Sequence, residues 1–140
     1  MKFFSMFSKS KPKPVPVLII RDRLGREIDR VVGWKLSNQD LRCRDWRHVD
    51  LRGQWLDGSD LSGTDMLGAD LRGASLQNCK LVGGEISYAD VSGCNFSGSN
   101  MVGCLLYRSE TQRTKLHNVL LSEESDIPKI KVFETVRVPA

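Results

Sequence analysis

An apolar residue recurs at every fifth position across more than half of this 140-residue chain. Stepping by five gives an unbroken apolar column, which consists of Leu36, Leu41, Trp46, Leu51, Leu56, Leu61, Met66, Leu71, Leu76, Leu81, Ile86, Val91, Phe96, Met101 and Leu106. At 40% hydrophobic residues overall, such a run has a chance of about one in a million in a fixed register. Neither the 3.6-residue period of a helix nor the two-residue period of a strand produces it. The sequence therefore predicts an architecture built from five-residue repeats.

The other positions of the five-residue unit are as regular as the apolar column. The position two residues before it holds small side chains, namely Ser59, Thr64, Ala69, Ala74, Cys79, Gly84, Ala89, Cys94, Ser99 and Cys104. The position directly before it holds acids and amides, namely Asp40, Asp45, Asp50, Asp60, Asp65, Asp70, Glu85, Asp90, Asn95 and Asn100. Two residues after it, glycine recurs. Over residues 36–110 this pattern resembles the pentapeptide-repeat family, whose unit is a small residue, Asp or Asn, Leu or Phe, a variable residue and often Gly.

The resemblance implies an all-β fold, a right-handed quadrilateral parallel β-helix in which four pentapeptides form one coil. The apolar residue and the small residue would point inward, and glycine would occupy the corners. Coils stack at the strand spacing of about 4.8 Å, so we expect about four coils and a rod roughly 20 Å long. On this interpretation Cys79, Cys94 and Cys104 are buried small residues rather than disulfide partners. Thr111 interrupts one core column, so the regularity fades near the end of the repeats.

The sequence divides into four parts. Residues 1–14 predict a basic and aromatic arm, residues 15–35 a β-hairpin, residues 36–121 the β-helix and residues 122–140 a tail. A solenoid end exposes strand edges and core side chains, and it therefore needs a cap.

Both flanking segments are candidates for such caps. The hairpin, with Gly25 in its turn, is expected to pack on the first coil near Leu36 and Leu41. The tail alternates polar and apolar residues over 130–138, which predicts a C-terminal strand. This strand would cover outward residues of the last regular coil, namely Val102, Leu105 and Tyr107.

Positive charge is concentrated at the N-terminus. Residues 1–35 carry nine Lys or Arg and three acids, whereas residues 36–110 carry seven and ten. A basic arm with clustered Phe could contact an anionic membrane, a nucleic acid or an acidic protein groove, or it could simply be solvated. Trp55 stands where the repeat expects Asp and should point outward. The candidate partner-binding residues are therefore Lys2, Phe3, Phe4, Phe7, Lys9, Lys11, Lys13 and Trp55.

One side of the predicted coil stack forms an acidic ladder. Residues twenty apart should lie one above the other, which stacks Asp50, Asp70, Asp90 and Glu110. Like charges about 4.8 Å apart repel each other, so Arg52 and Arg72 are expected to lie alongside and offset them.

No catalytic constellation stands out. His48 and His117 have no cysteine or carboxylate at metal-ligand spacing. The aspartates are explained by the repeat, and no glycine-rich phosphate-binding motif is present. We therefore expect a protein without enzymatic activity, cofactor or metal.

The leading functional hypothesis is a non-catalytic interaction or structural protein, a short rigid rod that docks through its termini into a larger assembly such as a phage particle or another multiprotein complex. The family resemblance implies an alternative, a DNA-mimicking modulator of a type II topoisomerase (gyrase). A third reading is a membrane-surface adaptor that uses the arm. The start of the chain lacks a secretory signal and no apolar run is long enough to span a bilayer, so we expect a cytoplasmic location, or one in a particle assembled there.

Overall fold

The computed structural model describes residues 10–121. Two regular strands lie at the N-terminal end, β1 (Val17–Arg21) and β2 (Glu27–Val32). They pair antiparallel, with Leu18 opposite Val31 and Ile20 opposite Asp29. A bulge follows Ile20, and the turn contains Gly25 at a φ of 81°. The structure thus contains the hairpin that the sequence predicts.

β1 begins two residues later than Val15, the first residue of the predicted hairpin. Pro16 accepts a hydrogen bond from the Gly33 N–H at 2.8 Å, so it continues the hairpin on one side only. Proline has no N–H and cannot complete a regular pair, which is why the strand is regular only from Val17 onward.

The repeats form a stack of twenty-residue coils. Every parallel bridge joins residues twenty apart, from Asp40 with Asp60 at one end to Asn100 with Leu120 at the other. Because each coil contains four five-residue units, it has four sides. Residues 36–115 make four coils, and a fifth begins before the description ends at Leu121. The predicted period and coil number are therefore present in the structure.

The corners of the coils have left-handed backbone conformations. Gly73, for example, has a φ of 68°, a conformation that side chains other than glycine resist. Several corners nevertheless carry larger residues at φ values between 51° and 59°, namely Asn38, Cys43, His48, Asn78, Tyr88, Arg108, Arg113 and Asn118. The corner position is thus set by the coil, and glycine is the residue that adopts it with least strain.

The core contains the apolar column together with the small residues. Where the small residue is hydroxylic, it donates to a carbonyl of the preceding coil, as Thr64 Oγ1 does to Leu41 O at 2.6 Å. Cys79, Cys94 and Cys104 are buried and form no disulfide, as the sequence predicts. Burial raises the pKa of the Cys79 thiol to about 12, so this group stays protonated at neutral pH.

The hairpin lies against the first coil. Ile20 and Val31 belong to the same buried cluster as the apolar column. The Arg21 carbonyl accepts from the Asp50 N–H at 2.9 Å, and the Arg23 N–H donates to the His48 carbonyl at 2.9 Å. These bonds involve a later part of the coil than the positions near Leu36 and Leu41 that the sequence suggested.

Candidate interaction surfaces

An open groove of about 780 Å³ separates β1 from the first coil. The residues that line it include two tryptophans and residues of both charges. The side chains that matter most are Ile19, Arg21, Trp34, Lys35, Asp50 and Trp55. Trp34 is 83% exposed and Trp55 is 74% exposed, so most of both indoles faces solvent.

The two tryptophans reach the groove from different elements. Trp34 follows the end of β2, directly after Gly33, which is bonded to the Pro16 carbonyl. Trp55 occupies the outward column of the repeat and pairs with Ser75 of the next coil. The Trp55 carbonyl also accepts from Ser37 Oγ at 3.0 Å, which fixes its backbone. The Trp55 indole is therefore carried on well-bonded backbone, and Trp34 directly follows a bonded residue.

One edge of β1 faces this groove. The bond from Gly33 N–H to Pro16 O places the even-numbered residues of β1 in hydrogen-bonded pairs with β2. The main-chain groups of Val17, Ile19 and Arg21 therefore point away from β2. Arg21 uses its carbonyl to bind Asp50, whereas no other described residue bonds to the outward N–H and C=O of Ile19, which lines the groove.

The charged residues of the groove leave a net positive character. Arg52 holds the Asp50 carboxylate by two bonds, at 2.9 and 2.7 Å. These hydrogen bonds from Arg52 lower the pKa of Asp50. Within residues 10–121 neither Arg21 nor Lys35 forms an ion pair. The Arg21 guanidinium donates to the Gly25 carbonyl at 3.0 Å and interacts with the carboxylate of Glu27 opposite it. Lys35 is therefore the cation that remains for a partner.

The acidic ladder stacks as predicted, through the bridges Asp50–Asp70, Asp70–Asp90 and Asp90–Glu110. Arg72 binds Asp70 at 2.7 Å and lies 3.7 Å from Asp90. Arg52 likewise lies 3.7 Å from Asp70. The sequence places Asp70 outward, yet it is buried, because the two arginines cover it. Hydrogen bonds from Arg72 lower the pKa of Asp70 despite this burial.

On other sides of the coil, the carboxylates that directly precede the apolar column also form hydrogen bonds within their own repeat. Asp40 binds Arg42 through both oxygens, and this pairing lowers the pKa of Asp40 to about 2. Where no arginine follows, the carboxylate accepts the N–H two residues later, as Asp60 does from Ser62 at 3.0 Å. The aspartates are thus part of the turn structure of each side.

A second exposed surface lies on the later coils. The rings of Tyr88 and Tyr107 meet edge to face with centroids 5.8 Å apart, and the Arg108 guanidinium lies 5.3 Å from the Tyr107 ring. Leu105 is exposed beside them, as expected for an outward residue, and Val102 is half-buried. The predicted C-terminal strand that was expected to cover this surface lies outside the described residues.

Most of the predicted arm also lies outside the described part of the chain. This applies to Lys2, Phe3, Phe4, Phe7 and Lys9, whereas Lys11 and Lys13 are described and exposed. Trp34 was missed because it belongs to no repeat column. The available signal was a large apolar residue between Gly33 and the first repeat.

Between residues 10 and 121 no group of three or more His, Cys, Asp or Glu is arranged to hold a metal ion. Among the same residues no helix has the length and hydropathy needed to span a bilayer.

The comparisons with known proteins agree with this geometry. The family model for pentapeptide repeats matches residues 36–83 and 85–122, with eight copies. Members of this family fold as right-handed quadrilateral β-helices. A comparison with curated protein sequences gave no significant match.

Several solved structures of pentapeptide repeat proteins are similar to this chain. One from Nostoc PCC 7120 has 21% identity and a TM-score of 0.63, over 74% of this chain and 86% of that protein. One from the Arabidopsis thaliana thylakoid lumen has 26% identity and a TM-score of 0.55, over 65% of this chain and 59% of that one. QnrB1, a plasmid-mediated fluoroquinolone resistance protein, has 18% identity and a TM-score of 0.50, over 64% of this chain and 57% of that one. The chain thus spans under two thirds of the Arabidopsis and QnrB1 structures.

Proposed function

The chain belongs to the pentapeptide-repeat family, and we propose that it is a non-catalytic interaction protein, a short rod that docks through its ends into a larger protein assembly. The observation that carries this proposal is the pair of exposed tryptophans, Trp34 and Trp55, on one groove. Tryptophan is enriched among the residues that dominate interface energies. Tryptophan has only two side-chain torsions, so each indole loses little conformational freedom when a partner covers it.

The structural roles of the carboxylates and cysteines in the repeat support the same proposal. The carboxylates of the repeat are held by arginines or by main-chain N–H groups, and the cysteines of the core are buried. These groups stabilise the coils. The surfaces left for function are therefore those with exposed apolar side chains, at the hairpin end and around Tyr107.

Affinity capture followed by reconstitution with the identified, purified partner tests this proposal. We expect a Trp34→Ala, Trp55→Ala double variant to bind that partner at least tenfold more weakly. Because both side chains are exposed, its thermal unfolding should match that of the unchanged protein. Tyr88→Ala is the matched control at the other exposed surface and should retain binding. Full binding by the tryptophan variant would contradict docking at the hairpin end, and the arm of residues 1–14 would then be tested by truncation.

A DNA-mimicking modulator of gyrase is the second candidate, and the stacked acidic ladder favours it. B-DNA carries one charge per about 1.7 Å, so a rod about 20 Å long would need roughly twelve uncompensated negative charges. Residues 36–110 hold ten acids against seven Lys or Arg, and Arg52 and Arg72 cover the ladder itself. We therefore expect no submicromolar inhibition in a gyrase supercoiling assay. Strong inhibition that is lost in an Asp50→Lys, Asp90→Lys variant would favour the second candidate instead.

A further inference from the structure

We infer that the groove between β1 and the first coil takes an extended, acidic peptide segment of a partner protein, which adds as a strand to the open edge of β1. This inference rests on the proposed function and names the chemistry of the partner at that site. Three features of the groove carry it: the open strand edge, the two indoles and the uncompensated Lys35 cation.

The open edge supplies main-chain hydrogen bonds. The N–H and C=O of Ile19 point away from β2 and toward the groove, in line with the Arg21 carbonyl that binds Asp50. An unpaired strand edge is a template for another strand. A peptide lying in the groove would pair with β1 in continuation of this contact, which is the geometry of strand addition.

The indoles supply the apolar contact that a short edge alone lacks. Trp34 and Trp55 both line the groove, and a fully covered indole buries roughly 150 to 250 Å². Alternate side chains of an extended peptide point to opposite faces, so one set can contact the indoles. The groove, at about 780 Å³, is large enough for several residues of such a peptide.

Charge selects among the occupants. Lys35 lines the groove without an ion pair among the described residues, whereas the Arg21 guanidinium binds the Gly25 carbonyl and Asp50 is neutralised by Arg52. The chain's own N-terminal arm carries Lys and no acid in residues 1–14, so it would bring like charge to the site. Two copies paired edge to edge would likewise bring the cations of both copies together. An acidic segment is the occupant that complements the groove, and we assign it to another protein. Glu123, Glu124 and Asp126 of this chain are the internal alternative, and in that case an added acidic peptide would not bind the full-length protein.

Synthetic peptides test this directly by isothermal titration with the full-length protein. The probe is acetyl-Glu-Val-Glu-Phe-Glu-Val-Glu-amide, and the control replaces each Glu by Lys. We expect the acidic peptide to bind at least tenfold more tightly than the lysine peptide. A Lys35→Glu variant should remove most of this preference. Equal binding of the two peptides, or no binding of either, would overturn the inference.

Backbone pairing is tested from both sides of the contact. Ile19→Pro removes an N–H that faces the groove and should abolish binding, whereas Ile19→Ala keeps the N–H and should lower the affinity by less than tenfold. N-methylation of alternate residues of the peptide tests the same bonds without altering the protein. Methylation in one alternating register should abolish binding and methylation in the other should not. Binding that survives both registers overturns strand addition.

The outcome is separable from that of the proposed function. If the tryptophan double variant loses the reconstituted partner while Ile19→Pro retains it, the proposed function stands and strand addition is wrong. If the tryptophan variant retains the partner, the proposed docking site itself is wrong.

Discussion

Trp46 donates its indole Nε1–H to Oδ2 of Asp29, with the two atoms 2.6 Å apart. Trp46 belongs to the apolar core column, and Asp29 is a residue of β2. Nη1 of Arg44 binds the same carboxylate at 2.9 Å. Burial alone would raise the pKa of Asp29, but the bonds from Trp46 and Arg44 outweigh it and lower the pKa. One carboxylate thus fastens the hairpin to the first coil.

Loss of that carboxylate should loosen the hairpin. In an Asp29→Ala variant the buried indole N–H loses its partner, which costs about 1 to 3 kcal/mol of unfolding free energy. Chemical denaturation monitored by tryptophan fluorescence measures this cost. Glu27→Ala on the same strand is the control, because its exposed carboxylate pairs with the exposed Arg30 and does not bind the first coil among the described residues. Equal stability of the two variants would show that the Asp29 bonds are not needed for the attachment.

The thermal stability of the protein should be independent of pH near neutrality and should fall at acidic pH. The folded-state pKa of Asp29, Asp50 and Asp70 lies below the ordinary value of 3.8. A depressed pKa contributes stability that is fully present above the unfolded pKa and is lost as the pH falls through the folded pKa. We therefore expect the Tm to be level above pH of about 4 and to decline below it. Asp29→Asn should show a shallower decline, measured by circular dichroism melts.

The two arginines that flank the acidic ladder should differ from arginines elsewhere on the rod. Arg72 covers Asp70, whose carboxylate is almost fully buried, whereas Arg42 binds an Asp40 that is 63% exposed. Removing Arg72 takes away both side-chain hydrogen bonds to the buried Asp70 carboxylate and leaves only Arg52, 3.7 Å away, beside it. Arg72→Ala should therefore lower the Tm by several degrees, or about 1 kcal/mol or more.

The matched variant Arg42→Ala should leave the Tm within experimental error, because solvent screens the exposed pair. Added salt should reduce the difference in Tm between the two variants only slightly, since Asp70 is shielded from solvent. If the two variants melt together in low and high salt, the covering arginines do not stabilise the ladder.

At the corners of the coils, replacing glycine by alanine should lower the stability, whereas replacing a larger residue by glycine should not. Gly73 has a φ of 68°, and a Cβ placed there would meet no atom within 4 Å. Gly73→Ala should therefore cost only the left-handed strain, about 1 to 2 kcal/mol. Arg113, at a φ of 59°, already bears that strain. Arg113→Gly should leave the stability unchanged or raise it by up to about 1 kcal/mol, as measured by urea denaturation.

The repeat body could be predicted from the sequence because each of its positions has one physical task. The column from Leu36 to Leu106 must be apolar to fill a narrow core, and the residues beside it must be small. The hairpin was predictable from its alternation and Gly25. The burial of Asp70 was not, because it depends on how far two long arginine side chains reach across neighbouring coils.

The groove was not predictable for a similar reason. Trp34 lies outside every column, and only the docked hairpin brings it to the same cavity as Trp55. The position of the hairpin depends on tertiary bonds such as Asp29 to Trp46, and a residue pattern along the chain does not encode their geometry. Trp55 itself was found from the sequence because it breaks the repeat.

The twenty-residue spacing of the bridges also fixes how this rod can change its length. Inserting one five-residue unit would rotate everything after it by a quarter turn, so that the carboxylates of the Asp50 column would no longer stack. Inserting twenty residues would leave every side in line and lengthen the rod by one strand spacing, about 5 Å. A partner that contacts both ends of the rod in one fixed rotational alignment therefore accepts only rods whose lengths differ by whole coils.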